Sequence, residues 1–169
     1  MEVYLAKTAR KLSIPASERD AKNPFPPTTE VLSEARAHFA DHCATCHGND
    51  GSGKTEIGQN LYPKTPDLRQ CETRNLTDGQ IYYIIHNGIR LTGMPAWGGP
   101  GEDDDSWKLV LFIRHMPQMT PQEMKDMEQF NPKCAVDRAE EESEQRYLNE
   151  GKTPEIKEED ASLKNGEQK

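Results

Sequence analysis

The sequence predicts an all-α domain of about a hundred residues between two dissimilar extensions. Three observations carry this. Three stretches place apolar residues at helical spacing, with capping residues before them and Gly or Pro after. Long loops rich in Gly and Pro join them. Charge is uneven: net +2 over residues 1–29, −6 over 30–132 and −4 over 133–169, for −8 in all.

Each element follows from local residues. Residues 1–29 end in Asn23-Pro24-Phe25-Pro26-Pro27-Thr28-Thr29, where prolines remove backbone donors and disfavour helix, so this part reads as a Pro-rich extended arm or tether. Thr28 or Thr29 caps a first helix from Glu30, with Val31, Leu32, Ala35, Phe39 and Cys43 on its apolar side. A loop holding Gly48, Gly51, Gly53 and Gly58 leads to a proline-punctuated extended crossing over residues 61–68. Thr77 starts a second helix carrying Ile81, Ile84 and Ile85, and Asn87-Gly88 stops it. After a loop over 89–103, the acidic run 102–105 and Ser106 start a third, with negative charge at the positive end of the helix. Trp107, Val110, Leu111 and Arg114 form one stripe of that helix and Leu109, Phe112 and Ile113 another, and Pro117 ends it. A short helix runs from Pro121 to about residue 130. Beyond 132 the chain is an acidic extension: a solvated helix over 137–150, then a largely disordered tail over 151–169.

Apolar residues make up 33% of the 169, and the 12 glycines raise this to about 40%, below the roughly 45–50% of a globular chain. Three helices and long loops are a thin scaffold, and a large apolar prosthetic group would supply the missing core. The longest apolar run, residues 109–113, is far short of the ~20 residues of a membrane span. An isoelectric point near 5.2 and the lack of a basic patch argue against nucleic acid as a partner.

The pentapeptide Cys43-Ala44-Thr45-Cys46-His47 concentrates the chemistry. Cys-x-x-Cys-His attaches haem c: two thiols three positions apart reach both vinyl groups on one porphyrin edge, and the following imidazole turns under the ring to the iron. A dithiol redox motif would want a βαβ context, and a zinc site a second ligand pair; Cys71 and Cys134 stand alone. For the other axial ligand, Met116, Met119, Met124 and Met127 sit around the terminal helices as packing material. His38, His42 and His115 read as surface or satisfied helix histidines, and His86 is a weaker ligand candidate. Met94 differs, because Gly93 and Pro95 hold it in an extended loop from which its thioether can point inward.

With these residues in view, the sequence over about 30–118 resembles the class I c-type cytochromes. The matching pieces beyond CATCHG are Gly51-Ser52-Gly53, Leu61-Tyr62-Pro63, Pro66-Asp67-Leu68, Leu76-Thr77-Asp78-Gly79-Gln80, Asn87-Gly88 and Gly93-Met94-Pro95-Ala96-Trp97. The resemblance implies a class I cytochrome c fold around one covalently bound haem c, held by Cys43 and Cys46 with His47 and Met94 as axial ligands. It implies crossing N- and C-terminal helices with Phe39 against Phe112, where Ala35 replaces a common glycine. It also implies a backbone carbonyl orienting His47, with Pro63 the candidate, and haem contacts from Trp97 and, at a propionate, Tyr62 and Arg69.

The activity implied is one-electron transfer, the iron cycling between Fe(III) and Fe(II), with no coordination site left for a substrate and hence no enzyme chemistry of its own. The acidic surface suggests donor and acceptor redox proteins with basic docking faces. The alternatives are a haem-carrying subunit or domain docked to a larger oxidoreductase, or a haem-based sensor with a labile Met94. The family implies a periplasmic or otherwise exported location. Residues 1–4 show no signal peptide, so a leader or membrane anchor upstream of residue 1 is expected, and the expected oligomeric state is a monomer. In an oxidising compartment Cys71 and Cys134 either pair as a disulfide or remain two thiols.

Overall fold

The structure is a computed structural model that describes residues 2–99, 103–132 and 135–150. Among them there is no strand. The helices are α1 (Glu2–Ser13), α2 (Ala16–Arg19), α3 (Thr29–His38), α4 (Ala44–His47), α5 (Glu56–Asn60), α6 (Cys71–Arg74), α7 (Asp78–Asn87), α8 (Asp103–His115), α9 (Pro121–Met127) and α10 (Ala135–Glu150). A π-helical turn, Phe39–Cys43, joins α3 to α4, and short 3₁₀ turns follow α8 and α9. The chain divides after Pro132 into two compact units. In the second, α10 carries an exposed Leu148 and a half-buried Tyr147. The tail 151–169 and its expected disorder lie outside the described residues, as do Cys134 and its pairing with Cys71.

The predicted helices form for the predicted reasons. The Thr28 hydroxyl accepts from the Val31 N–H at 3.3 Å and caps α3. Thr77 and Gln80 make a reciprocal capping box on α7, and Thr120 and Glu123 another on α9. Gly88, at φ 66°, closes α7 in a conformation that a side chain rarely adopts. The core forms where α3 packs on α8: Ala35, Phe39, Leu109, Val110 and Phe112 are all buried, and the Phe39 and Phe112 rings meet at 5.2 Å. Met116 and Met127 are buried in the same cluster. Met116 presses on Gly51, where a Cβ would collide with its sulfur. These methionines are packing material.

The stretch read as an extended arm is different. Its prolines are confined to residues 15 and 24–27, which leaves 2–13 free to be helical. Ala6 and Ile14 are buried. Asn23 donates to the Trp107 carbonyl at 2.8 Å, and Lys108 lies over the Phe25 ring at 5.7 Å. Gly79 lets α2 approach α7 so closely that a Cβ there would run into the Glu18 carbonyl. Residues 2–29 therefore fold onto the domain, through contacts with α6, α7 and α8 that are distant in sequence.

Candidate functional site

The π-turn sets up the site. The Ala44 N–H reaches back five residues to the Phe39 carbonyl, widening the helix so that Phe39 packs on Phe112 while Cys43 faces a cavity. Beyond α4 three of the freed carbonyls are taken by the following loop. Ala44 accepts from Gly48 at 2.7 Å, His47 from Gly53 at 2.7 Å, and Cys46 from the Thr55 hydroxyl at 3.0 Å. The Leu68 N–H bonds the Gly51 carbonyl at 2.8 Å and Thr65 bonds Gly58 at 3.0 Å, pinning the extended crossing against this loop. His47 thus sits on a short helix locked from both ends.

The cavity measures about 590 Å³, within the range of a cofactor pocket. Its walls include Cys43, Cys46 and His47 from the α3–α4 segment, Leu61, Tyr62, Pro63 and Pro66 from the crossing, Ile81 and Ile85 from α7, and Met94 and Trp97 from the loop after it. Of the sequence-predicted site residues, all but Arg69 line it. Arg69 closes its fork on Asp67, at 2.9 Å from both nitrogens, and reaches Asp50 at 3.4 Å. The carboxylate two residues back captures it, and Arg69 lies outside the cavity lining. Pro63 lines the cavity, but the carbonyl that bears on His47 is that of Pro66, because the crossing is pinned at Thr65 and Leu68.

The loop around Met94 is held by more than its flanking Gly and Pro. Thr92 donates to the Ile89 carbonyl at 2.8 Å and accepts from the Met94 N–H at 3.1 Å. Ile89 donates to the Met94 carbonyl at 3.1 Å, and Trp97 and Gly98 bond the Ile85 and His86 carbonyls of α7. A Thr two residues before the Met is a sequence signal that could have been read. His86 does not line the cavity: it lies 3.5 Å from Asp103, with Gly98 against its ring. His42 is exposed, as the surface reading expects, and also lines the cavity rim, edge-on to Trp97 at 5.4 Å. The acidic run has local work, since Asp103 accepts from the Tyr82 hydroxyl at 3.0 Å and Asp105 lies 3.8 Å from Lys108; Glu102 lies outside the described residues.

The electrostatics suit His47 as a neutral ligand and weigh against an activated thiol at Cys43. Burial pushes the His47 pKa down to about 4, opposed by the Pro66 carbonyl, so the imidazole is neutral at pH 7 as a ligand must be. Its Nδ1 is buried with no hydrogen-bond partner aligned on it. Burial, and Cys46 beside it, push the Cys43 thiol up to about 12, the opposite of what a dithiol redox centre requires. Among the described residues no three His, Cys, Asp or Glu side chains gather into a metal cluster of the zinc type. The residues present fit haem c: two thiols and a neutral imidazole on the π-turn and the short helix after it, a thioether on a braced loop, and an apolar cavity between.

A helical domain with this motif on its cavity defines a class, and residues 30–113 are a c-type cytochrome domain. They match the family described as cytochrome c oxidase, cbb3-type, subunit III. Two curated relatives carry the same segment. The cbb3-type cytochrome c oxidase subunit FixPc of Rhizobium leguminosarum bv. viciae is 32% identical over 93 residues, covering 53% of this chain and 30% of that protein. The subunit FixP of Azorhizobium caulinodans is 34% identical over 89 residues, covering 47% of this chain and 25% of its own length. The chain thus spans less than a third of either relative. No described helix is long and apolar enough to cross a membrane.

Proposed function

We propose that the protein is a one-electron carrier with a single haem c, held covalently by Cys43 and Cys46 and ligated by His47 and Met94. The observation that carries this reading is one apolar cavity lined by the whole motif and by Met94. A bound haem c would supply a one-electron Fe(III)/Fe(II) couple, raised by thioether ligation relative to two imidazoles. The chain's own residues do the rest. His47 offers a neutral nitrogen from a locked helix, the Thr92 hydroxyl braces the backbone of Met94, and Leu61, Ile81, Ile85 and Leu109 keep water away. Tyr62 and Leu91 are exposed, as are Pro95 and Ala96, giving an apolar fringe near the cavity for transient docking.

The test is direct. Acidified acetone should leave the haem on the full chain, with the mass one haem above the bare polypeptide. The oxidised protein should show the weak near-infrared sulfur-to-iron band. Extractable haem, or a missing band, overturns the reading.

A second reading places this carrier inside an assembly. Both relatives are named as subunits of cbb3-type oxidases, and this domain corresponds to a minor part of each. We infer a relay passing electrons toward a larger oxidoreductase on the periplasmic side, its acidic surface meeting basic partner residues. Co-purification of an oxidase from native membranes supports it; a carrier that exchanges electrons only as a free protein overturns it.

A further inference from the structure

The cavity has a charged side that neither the family domain nor the motif explains. Among the described residues its lining carries three cations, Lys7, Arg10 and Lys64, and one anion, Glu72. Two of the cations come from α1, which precedes the matched segment. They stand against a domain that is net −6 over residues 30–132. On the cavity side of α1, Val3, Ala6, Lys7 and Arg10 recur at helical spacing, so one face carries both apolar cover and charge.

One carboxylate holds both cations. Lys7 Nζ lies 3.2 Å from Glu72 Oε1, and an Arg10 guanidinium nitrogen lies 3.6 Å from the same oxygen, beyond hydrogen-bond length. Two positive charges on one negative leave a net positive cluster at an apolar wall. The Arg10 fork suits a carboxylate bidentately, and its side chain is 23% exposed, against 56% for Lys7.

We propose that Lys7 and Arg10 form the carboxylate-recognition subsite of this cavity, receiving a propionate of the bound haem, with Glu72 holding both in position. This rests on the haem-carrier reading. It assigns to α1 the positioning role that the sequence suggested for Arg69. The subsite lowers the energy of the propionate charge and offsets its pull on the iron, so the reduced form gains stability.

The experiment uses the full holoprotein. In Lys7→Gln/Arg10→Gln the covalent haem content should stay at one per chain, because Cys43 and Cys46 are untouched. The redox equilibrium should shift three- to tenfold toward the oxidised form, tenfold being about 59 mV for one electron. The resonance Raman propionate-bending mode should move as well. Lys7→Arg should keep the potential, and Lys11→Gln, an exposed cation on the same helix, should leave both readouts alone. Should the double variant fail to fold, Arg10→Lys keeps the charge but loses the fork, and must still move the Raman mode. A lower melting temperature with unchanged potential and Raman mode makes the ion pair a mere tether of α1 and overturns the proposal. So does an equal effect from Lys11→Gln, or an Arg10→Lys protein with an unmoved mode. A wild-type chain with no covalent haem fails the carrier reading instead.

Discussion

Two walls of one cavity are built on opposite principles. The wall from the π-turn and α4 carries Cys43, Cys46 and His47, and the loop that follows bonds the Ala44, Cys46 and His47 carbonyls. Burial there suppresses charge, holding His47 neutral and the Cys43 thiol protonated. The wall from α1 and α6 carries Lys7, Arg10 and Glu72, half exposed and joined by charge rather than packing. Low-dielectric surroundings suit bond formation and metal ligation, whereas exposed charge is screened and adjustable. On the proposed reading, the first wall decides whether the haem stays and the second how it is tuned.

The largest effect that would break this contrast comes from the first wall. Cys43→Ala/Cys46→Ala should abolish covalent haem entirely, read as a bare-polypeptide mass, while Glu72→Gln on the second wall retains it. Met94→Ala ranks next. It should keep the haem, lose the near-infrared sulfur band, and lower the potential by more than tenfold in the equilibrium, over about 59 mV. An unchanged potential would mean that Met94 is not the ligand.

How far the sequence discloses each wall follows from the same contrast. Cys43, Cys46 and His47 are neighbours, so their chemistry is local and legible without a fold. The caps at Thr28 and Thr77 were legible too, because short-range spacing encodes them, whereas the Phe39–Phe112 contact came only from the resemblance to the class I c-type cytochromes. Nothing local tells that Lys7 and Arg10 meet Glu72, more than sixty residues away. The arm was misread because three prolines at 24–27 were allowed to speak for residues 2–13. Arg69 lies off the cavity because an Asp two positions before it competes for its guanidinium, a contest that only geometry resolves. The π-turn has no composition signal at all.

A gentler perturbation sharpens the contrast by moving one wall alone. Gly79→Ala adds a methyl where the Glu18 carbonyl and the Ala21 side chain press on α7. Alanine gains about 0.8–1 kcal/mol of helix propensity, but overpacking costs about 1–3 kcal/mol, and backbone on both sides yields little. The net should be a loss of up to about 2 kcal/mol in denaturant unfolding. Haem content and the sulfur band should not change. Loss of haem in this variant would mean that the N-terminal segment supports the first wall after all.

The smallest effect tests how the first wall is braced. Hydrogen bonds from the Arg69 side chain, with help from the Arg69 N–H and Gln70, hold the Asp67 carboxyl well below the usual carboxylate range. Asp67 directly follows Pro66, whose carbonyl bears on His47. Because the folded pKa is depressed, the stabilisation is complete above the unfolded value near 3.9 and disappears as pH falls toward the folded one. Asp67→Asn should therefore cost about 1 kcal/mol at pH 7, and the difference from wild type should shrink steadily below about pH 4. Denaturation midpoints at pH 7 and pH 3 read this directly. If the gap between the two proteins is as wide at pH 3 as at pH 7, the Asp67–Arg69 fork does not brace the crossing, and the hydrogen bonds from Thr65 and Leu68 alone hold Pro66 against His47.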